Sequence, residues 1–176
     1  MVTPERGAPD AMAPAATGAG VAHRVGIVAD THGHIGTKAI HALAGVTRIL
    51  HAGDVGGTAV LETLRRVAPV DAVRGNAEDD PEIEMRLPAF TVVDVAGVRF
   101  AVTHVKDRAY RVDDARRAGC DVYVFGHTHV ASSREDGGLW LVNPGSASKS
   151  RGGTSPSVAI VEVAGGRVLR VETIPV

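Results

Sequence analysis

The sequence predicts an α/β fold in which two β-sheets pack face to face and helices cover the outside. Its first half alternates short apolar runs with segments of helical spacing, a pattern typical of βαβ units with parallel strands. Its second half contains a hairpin pattern and further apolar runs, so more antiparallel pairing is expected there. The 176 residues, 44% of them hydrophobic, suffice for one domain with a substantial core.

The first half is predicted to form three parallel strands joined by two helices. Each strand is a short, buried-type apolar run that ends at a turn-like segment. The predicted elements are, in chain order, strand 25–29, helix 38–44, strand 47–51, helix 58–67 and strand 70–73. Thr58 is predicted to be the N-cap of the second helix, because apolar residues at helical spacing follow it.

The second half is predicted to begin with a β-hairpin. Residues 90–95 and 98–103 flank Ala96-Gly97, and polar and apolar residues alternate along the first run. A charged, exposed helix is predicted next, and buried-type strands follow it. These remaining elements are helix 109–118 and strands 121–125, 139–142, 157–163 and 168–173.

The first 22 residues are predicted to be a disordered tail in front of a folded domain that covers residues 23–176. The tail is rich in proline, alanine and glycine, and Met12 is an alternative start to Met1. A signal peptide needs a basic start and an apolar stretch, and the tail has neither. No apolar run approaches the ~20 residues of a membrane span. We therefore expect a cytoplasmic protein without a membrane partner.

Composition argues against a nucleic-acid-binding protein. The formal net charge is −1 and aromatic residues make up only 3%, so a bulk basic field and stacking platforms for bases are both missing. No stable binding of nucleic acid is expected. The single cysteine, Cys120, excludes an internal disulfide and a cysteine-based zinc cluster, and is predicted to be buried at a strand edge. The oligomeric state stays open.

Metal-competent side chains follow the carboxyl ends of the predicted strands. Ligands of open α/β sheets bind at this edge, and glycines beside these residues permit tight turns. In Asp-x-His and His-x-His, two ligands two residues apart share a side of an extended segment. Such carboxylate, imidazole and amide ligands suit Mn, Fe, Co, Ni and Zn, and the oxygens also suit Mg. The ordered set is Asp30, His32, Asp54, Asn76, His104, His127 and His129.

This ordered set resembles the motifs of the calcineurin-like metallophosphoesterase superfamily. The motifs are Asp30-Thr-His32, Gly53-Asp54, Gly75-Asn76, His104 and Gly126-His127-Thr-His129. The segment 143–146, Asn-Pro-Gly-Ser, is similar to the small prokaryotic phosphodiesterase branch, to which a retromer scaffold subunit is related. The resemblance covers the chain from about Val25 to its end. It implies a four-layer αββα sandwich of two mixed β-sheets flanked by helices.

The resemblance also implies two divalent metal ions per chain, with Mn²⁺ expected first and Mg²⁺, Fe, Ni²⁺, Co²⁺ or Zn²⁺ as alternatives. It implies hydrolysis of phosphate esters by attack of a metal-bridging hydroxide. One ion would be held by Asp30, His32, Asp54 and His129. The other would be held by Asp54, Asn76, His104 and His127, with Asp54 bridging the two. Asp54, Asn76 and His104 would be the catalytic residues, through metal and phosphate positioning.

Two departures from the family pattern bear on the substrate. Larger phosphatases carry histidine directly after the asparagine, where this chain has Ala77, so protonation of the leaving group is open and good leaving groups are favoured. Family members often read His-Gly-His where this chain reads His104-Val105-Lys106. Lys106 and His34 are candidates for contact with substrate.

Three other polar residues receive structural interpretations. His51 lies inside the second strand and is predicted to be a core or sheet residue. Arg74 at a strand end is more often a structural partner than a phosphate clamp. Ser146 is excluded as a nucleophile because no Ser-His-Asp arrangement accompanies it.

The function expected from the resemblance is a phosphodiesterase that acts on a small phosphate ester. One alternative is a non-catalytic scaffold of the same fold, which would be free to lose ligands, whereas this chain keeps all seven. A phosphomonoesterase or nucleotide hydrolase is a second alternative, against which Ala77 weighs. A nuclease is disfavoured because nucleases of the superfamily carry extra domains and basic tracks.

Overall fold

The computed structural model describes residues 21–149, 151 and 153–176, and nearly all of the predicted 1–22 tail lies outside them. The described chain contains fourteen helices and strands. In order they are β1 (His23–Val28), α1 (Thr37–Ala42), β2 (Arg48–Ala52), α2 (Thr58–Arg65), β3 (Val70–Val73), α3 (Pro81–Arg86), β4 (Phe90–Val95), β5 (Val98–Thr103), α4 (Val112–Arg117), β6 (Val122–Val124), β7 (Ser132–Asp136), β8 (Leu139–Asn143), β9 (Ser157–Ala164) and β10 (Arg167–Pro175).

The first sheet has the strand order β10-β9-β1-β2-β3. The strands β1, β2 and β3 are parallel, as expected for strands joined by helical crossovers. The last two strands of the chain return to this sheet, where β9 pairs antiparallel with β1 and β10 pairs antiparallel with β9. The sheet is therefore mixed, and its parallel part comes entirely from the first half of the chain.

The second sheet has the order β4-β5-β6-β8-β7 and is also mixed. Its three central strands, β5, β6 and β8, are parallel. The edge strands β4 and β7 are antiparallel to their neighbours. Each sheet thus contributes one set of parallel strands, and the carboxyl ends of those strands carry the loops described below.

Three apolar clusters define four layers. The first lies between the sheets and is dominated by valine and alanine from β1, β5, β6 and β9. The second joins the outer face of the first sheet to α1, α2 and α3, and the third joins the outer face of the second sheet to α4. Cys120 is buried in this third cluster, as predicted. The αββα sandwich is confirmed.

The hairpin prediction is confirmed to the residue. Strands β4 and β5 are joined by Ala96 and Gly97, which have φ values of 52° and 82°. Positive φ at both central residues is the backbone of a two-residue hairpin turn whose twist matches the strands. The strand 70–73 is confirmed with the same bounds, and the other predicted elements are confirmed with shifted ends.

Three local features differ from the predictions. Gly57, not Thr58, is the N-cap of α2, and no side chain caps that helix. Helix α3 was not predicted, although Asp80 caps it by accepting a hydrogen bond from the amide of Glu82, and Pro81 occupies its first turn. Strand β7 was not predicted because its residues are polar and mostly exposed; only pairing with β8 makes it a strand.

None of the helices in the described residues is long and apolar enough to span a membrane.

Replacing Leu50 by alanine is expected to lower the free energy of unfolding by about 2–5 kcal/mol, because its fully buried side chain fills the core between the sheets. Leu169→Ala provides the matched control, since that leucine is 58% exposed on β10. The control is expected to change stability by less than about 0.5 kcal/mol. Urea denaturation of metal-free protein measures both, and equal losses would contradict the assigned core.

Candidate metal centre

The loops that follow the parallel strands of both sheets meet at one edge of the sandwich. The loop after β1 is bonded to the loop after β2 by three backbone hydrogen bonds, from Asp30 to Gly53 (3.0 Å), from His32 to Asp54 (2.9 Å) and from Gly33 to Val55 (2.8 Å). The second sheet brings the ends of β5 and β6 to the same place. The predicted ligands therefore converge from both sheets.

Five of the seven predicted ligands bring their side-chain donor atoms together. These atoms form two groups that share Asp30, and within each group they lie within 4.8 Å of one another. The first group is Asp30, His32 and His129, and the second is Asp30, Asp54 and His104. Asp30 Oδ1 lies 3.3 Å from His129 Nε2, and His32 Nε2 also lies 3.3 Å from His129 Nε2.

Asp54 belongs to the second group and also faces His32 of the first. One of its oxygens, Oδ2, lies 3.8 Å from His32 Nε2, and the other, Oδ1, lies 3.3 Å from His104 Nε2. A carboxylate with one oxygen toward each group has the placement that a bridging ligand needs. The assignment of Asp54 as the bridge stays a prediction.

Asn76 and His127 lie beside this cluster. The amides of Asn76 and Ala77 donate to Oδ1 of Asp54, each at 2.9 Å, while the side chain of Asn76 is exposed. The ring of His127 lies edge-on to that of His104, with 5.3 Å between the centroids, and is also exposed. Their ligand roles stay predictions.

In both His104 and His129, a backbone carbonyl determines which ring nitrogen is left free. Nδ1 of His104 lies 2.7 Å from the carbonyl of Ala52, and Nδ1 of His129 lies 2.7 Å from the carbonyl of Lys149. A carbonyl only accepts, so each Nδ1 carries a proton, and in the neutral ring that metal binding requires each Nε2 presents a lone pair to the cluster. This arrangement is the usual one for metal-bound histidine, whose second nitrogen donates to a carbonyl.

The donor atoms fit a divalent cation. The buried atoms Asp30 Oδ1 and His104 Nε2 have no hydrogen-bond partner among the described residues. Asp30 Oδ1 lies 3.3 Å from Nε2 of His129, and His104 Nε2 lies 3.3 Å from Oδ1 of Asp54. Acceptors that face acceptors repel one another unless a proton or a cation lies between them. Mixed carboxylate and imidazole donors are the set that Mn, Fe, Co, Ni and Zn accept.

Burial and charge shift the titration of the cluster in opposite directions. Burial, reinforced by the nearby charge of Asp54, raises the pKa of Asp30 to about 7. Burial also acts to raise the pKa of Asp54, but contact with His104 outweighs it and holds the pKa well below its usual range. Burial lowers the pKa of His127 and of His129, which favours the neutral form that binds metal.

The ligand loops adopt a backbone that non-glycine residues rarely take. Among the described residues, seven that are not glycine have positive φ, and five of these are predicted ligands. Each such residue costs on the order of 1–3 kcal/mol, and such strain clusters at functional sites. The five are Asp30 (53°), His32 (45°), Asp54 (51°), His127 (71°) and His129 (61°).

Two glycines permit the close packing of the loops. A Cβ at Gly75 would clash with Oδ1 and with the backbone nitrogen of Asp54. At Gly53, which has a φ of 85°, a Cβ would lie 2.6 Å from the Cβ of His104. The motif glycines therefore let Asp54 and His104 reach the cluster.

Glu78 ties two ligand loops together and was not predicted to do so. Its carboxylate accepts hydrogen bonds from the amides of Val55 (3.2 Å) and Gly56 (2.9 Å) in the loop after β2, and from Gly75 (2.7 Å) in the loop after β3. The sequence signal was its place two residues after Asn76. An acidic side chain there has no recognisable role until the loops are folded together.

The predicted 143–146 segment does lie near the site. Ser146 Oγ donates to the carbonyl of Asp30 at 2.7 Å, and the side-chain Nδ2 of Asn143 donates to the carbonyl of Gly126 at 3.0 Å. The segment thus joins the loops after β1 and β6. Ser146 is buried and bonded to backbone, which agrees with its exclusion as a nucleophile.

The remaining candidates lie around the cluster. His34 is exposed and lines a shallow depression with Lys38 and Ser148, and its contact with substrate stays a prediction. Lys106 is exposed and lies 3.9 Å from the carboxylate of Asp107; its substrate contact also stays a prediction.

His51 is a fully buried sheet residue, as predicted. Its Nε2 lies 2.9 Å from Thr31 Oγ1, and that hydroxyl donates to the carbonyl of Val55, so Nε2 carries the proton. Nδ1 has no partner among the described residues. Burial lowers the pKa of His51 to about 3.

Comparisons with known proteins agree with this geometry. The family model for the calcineurin-like phosphoesterase superfamily domain matches residues 24–166. A probable metallophosphoesterase of Methanothermobacter thermautotrophicus is 31% identical over 156 residues, which cover 82% of this chain and 88% of the relative. A phosphodiesterase of Methanocaldococcus jannaschii is 27% identical over 138 residues, covering 69% of this chain and 82% of the relative.

A solved structure shares the fold. Vacuolar Protein Sorting 29 from Cryptosporidium parvum superposes with a TM-score of 0.69 at 20% identity, over 88% of this chain and 99% of that one. At this identity the likeness concerns the fold alone.

Replacing Gly75 by alanine is expected to weaken Mn²⁺ binding by about 10–100-fold, because the new methyl group would displace Asp54 from the cluster. Isothermal titration calorimetry measures the affinity, and far-UV circular dichroism verifies that the variant is folded. Gly36→Ala is the matched control: its φ is −77° and a Cβ there meets nothing within 4 Å. Wild-type affinity in folded Gly75→Ala protein would contradict the assigned packing.

Acid is expected to destabilise the metal-free protein partly through His51. Its pKa is about 3 when folded and about 6.5 when unfolded, so its neutral form contributes fully above pH 6.5 and the contribution is lost as pH falls. From about pH 7.5 to about pH 5.5 this amounts to about 1.4 kcal/mol. The stability difference between wild type and His51→Gln should therefore shrink by that amount, as measured by urea denaturation. The exposed His41 provides the control His41→Gln. If the difference in unfolding free energy between wild type and His51→Gln were the same at both pH values, the low pKa of buried His51 would be refuted.

Proposed function

The chain belongs to the calcineurin-like phosphoesterase superfamily, and from that premise we propose that it is a phosphodiesterase that acts on a small phosphodiester with two divalent metal ions. The family is metal-dependent, so a metal-dependent phosphoesterase is the coarser conclusion that the comparisons support. Mn²⁺ is the ion we expect first. The cytoplasmic location remains a prediction.

The observation that carries the proposal is the crowding of acceptor atoms. Asp30 Oδ1 and His104 Nε2 are buried without hydrogen-bond partners among the described residues, and they lie 3.3 Å from His129 Nε2 and from Asp54 Oδ1, respectively. Such a cluster is stable only with positive charge inside it. We assign Asp30, His32, Asp54 and His129 to one ion and Asp54, Asn76, His104 and His127 to the other. Cations held there would offset the charge that develops on a phosphoryl group and would acidify water.

The chain's own residues favour an ester with a good leaving group, and the preference for a diester rests on the relative named as a phosphodiesterase. The amide of Ala77 is used to hold Asp54, and its methyl side chain cannot transfer a proton to a leaving oxygen. Esters with good leaving groups need such a proton least. The exposed amide side chain of Asn76 lines a cleft beside His104, where it can donate a hydrogen bond to a phosphoryl oxygen.

A non-catalytic scaffold is the second candidate, because a vacuolar protein sorting protein has this fold. The ligand loops argue against it. Five predicted ligands hold a left-handed backbone at a cost of on the order of 1–3 kcal/mol each. A protein that bound partners only through its outer surfaces would gain nothing from that strain.

Purified protein with Mn²⁺ is expected to hydrolyse bis(p-nitrophenyl) phosphate, and removal of metal with EDTA should abolish turnover. Asp54→Asn should lower kcat/KM by about 10³-fold or more, because it removes charge between the two groups of ligands. The matched control, Asp113→Asn, changes an exposed aspartate on α4 and should retain wild-type turnover.

Metal content and a substrate panel complete the test. Two equivalents of metal per chain in the wild type, by mass spectrometry of the elements, would agree with the proposed centre. Bound metal without turnover of diesters or monoesters would favour the scaffold, and faster turnover of p-nitrophenyl phosphate than of the diester would favour a phosphomonoesterase. Turnover that survives complete metal removal would contradict both the phosphodiesterase and the phosphomonoesterase hypotheses.

A further inference from the structure

A cleft of about 390 Å³ opens beside the metal centre. His104 and Asn76 form the wall that it shares with the centre, so an ester whose phosphorus lies at the metal ligands has one substituent directed into this cleft. Two arginines, Arg74 and Arg108, also line it. They come from different sheets, at the end of β3 and in the loop after β5.

Resting on the proposed function, we propose that Arg74 and Arg108 bind a second phosphate group of the substrate. The preferred substrates would then be phosphodiesters that carry a phosphate in addition to the scissile one. Guanidinium groups bind phosphate through paired, charge-assisted hydrogen bonds, which gives them specificity as well as affinity. For Arg74 this role adds to the structural contact expected from the sequence, which it makes with the carbonyl of Glu84. Arg108 is a further candidate in the loop that carries Lys106, whose contact with substrate stays a prediction.

The loop that carries Arg108 is fixed in place. The amide of Asp107 donates to the hydroxyl of Tyr123 at 3.1 Å, and the carboxylate of Asp107 accepts from the amide of Val112 at 2.8 Å. A turn closes between Arg108 and the carbonyl of Val105 at 3.3 Å. A loop anchored at these points needs little ordering when an anion binds.

Arg74 is anchored too and keeps donors free. Its Nη1 donates to the backbone carbonyl of Glu84 at 3.1 Å, which uses one of the five guanidinium N–H groups. Neither Arg74 nor Arg108 has a carboxylate within ion-pair distance among the described residues. Some other arginines of the described chain, Arg134 among them, also lack such a pair, whereas seven form one, namely Arg24, Arg48, Arg86, Arg99, Arg116, Arg117 and Arg170.

Two carboxylates also line the cleft and must be weighed against the arginines. That of Glu78 accepts three backbone amides, which disperse its charge. That of Glu84 is exposed on α3 and opposes an anion. Glu84→Gln is therefore expected to strengthen the preference for a second phosphate, which gives the test a variant of opposite sign.

The test compares kcat/KM for two matched esters in the Mn²⁺ protein. One is thymidine 5′-(p-nitrophenyl phosphate), and the other is the same ester with a phosphate on the 3′ oxygen. The wild type is expected to prefer the 3′-phosphorylated ester by about tenfold or more, the size of effect that a charged hydrogen-bonded contact gives. Arg74→Gln and Arg108→Gln should each lower this preference by about tenfold, and Glu84→Gln should raise it.

Arg134→Gln is the control, since that arginine is exposed on β7 and lies outside the cleft. It should retain the wild-type preference. Equal kcat/KM for the two esters in the wild type, or a preference unchanged by both cleft arginine variants, would overturn the proposal and leave the phosphodiesterase function standing. Failure to hydrolyse either ester would instead refute the proposed function.

Discussion

Acceptor atoms crowd the carboxyl ends of the parallel strands, and the packing of two sheets holds them there. Asp30 and Asp54 come from the first sheet, whereas His104 and His129 come from the second. Neither sheet alone contains a complete group of ligands. The side chains of all members except His32 are fixed by a bond to backbone, such as that between Asp54 Oδ1 and the amide of Asn76. The side chains therefore cannot turn away from one another without breaking those bonds, and the repulsion among them is built into the fold.

The two carboxylates respond to this crowding differently. The pKa of Asp30 is raised by burial to about 7, whereas contact with His104 keeps the pKa of Asp54 low. Near neutral pH a proton on Asp30 therefore relieves part of the repulsion. A cation relieves it more completely and must displace that proton, so metal binding and proton release are coupled at this residue. The same burial that makes Asp30 a poor free anion makes it a good partner for a divalent ion.

How far the sequence predicts this molecule depends on whether a feature is local. The hairpin at Ala96-Gly97 is confirmed because the turn and the flanking alternation lie in one segment. The polar strand β7 was not predicted because it is a strand only through its backbone pairing with β8. In the site, ligand identities follow from motifs that stand at strand ends, whereas the roles of Glu78 and Arg108 arise from loops of distant origin. The prediction of Thr58 as the N-cap was wrong. Helix α2 begins one residue earlier than the side chain of Thr58 suggested, and Gly57 is the N-cap.

The apolar core and the ligand cluster consist of different residues, and this separation bears on whether the protein is an enzyme or a scaffold. The core between the sheets consists of valine, alanine and other apolar side chains, and the predicted ligands are not part of it. The apolar packing between the sheets therefore does not involve the ligand side chains, and a scaffold of this fold could keep that packing without them. This chain instead keeps repelling acceptors, left-handed backbone at Asp30 and His127, and a glycine at position 75 that admits Asp54. Each of these features is unfavourable by itself, and together they are useful only if cations occupy the place to which they point.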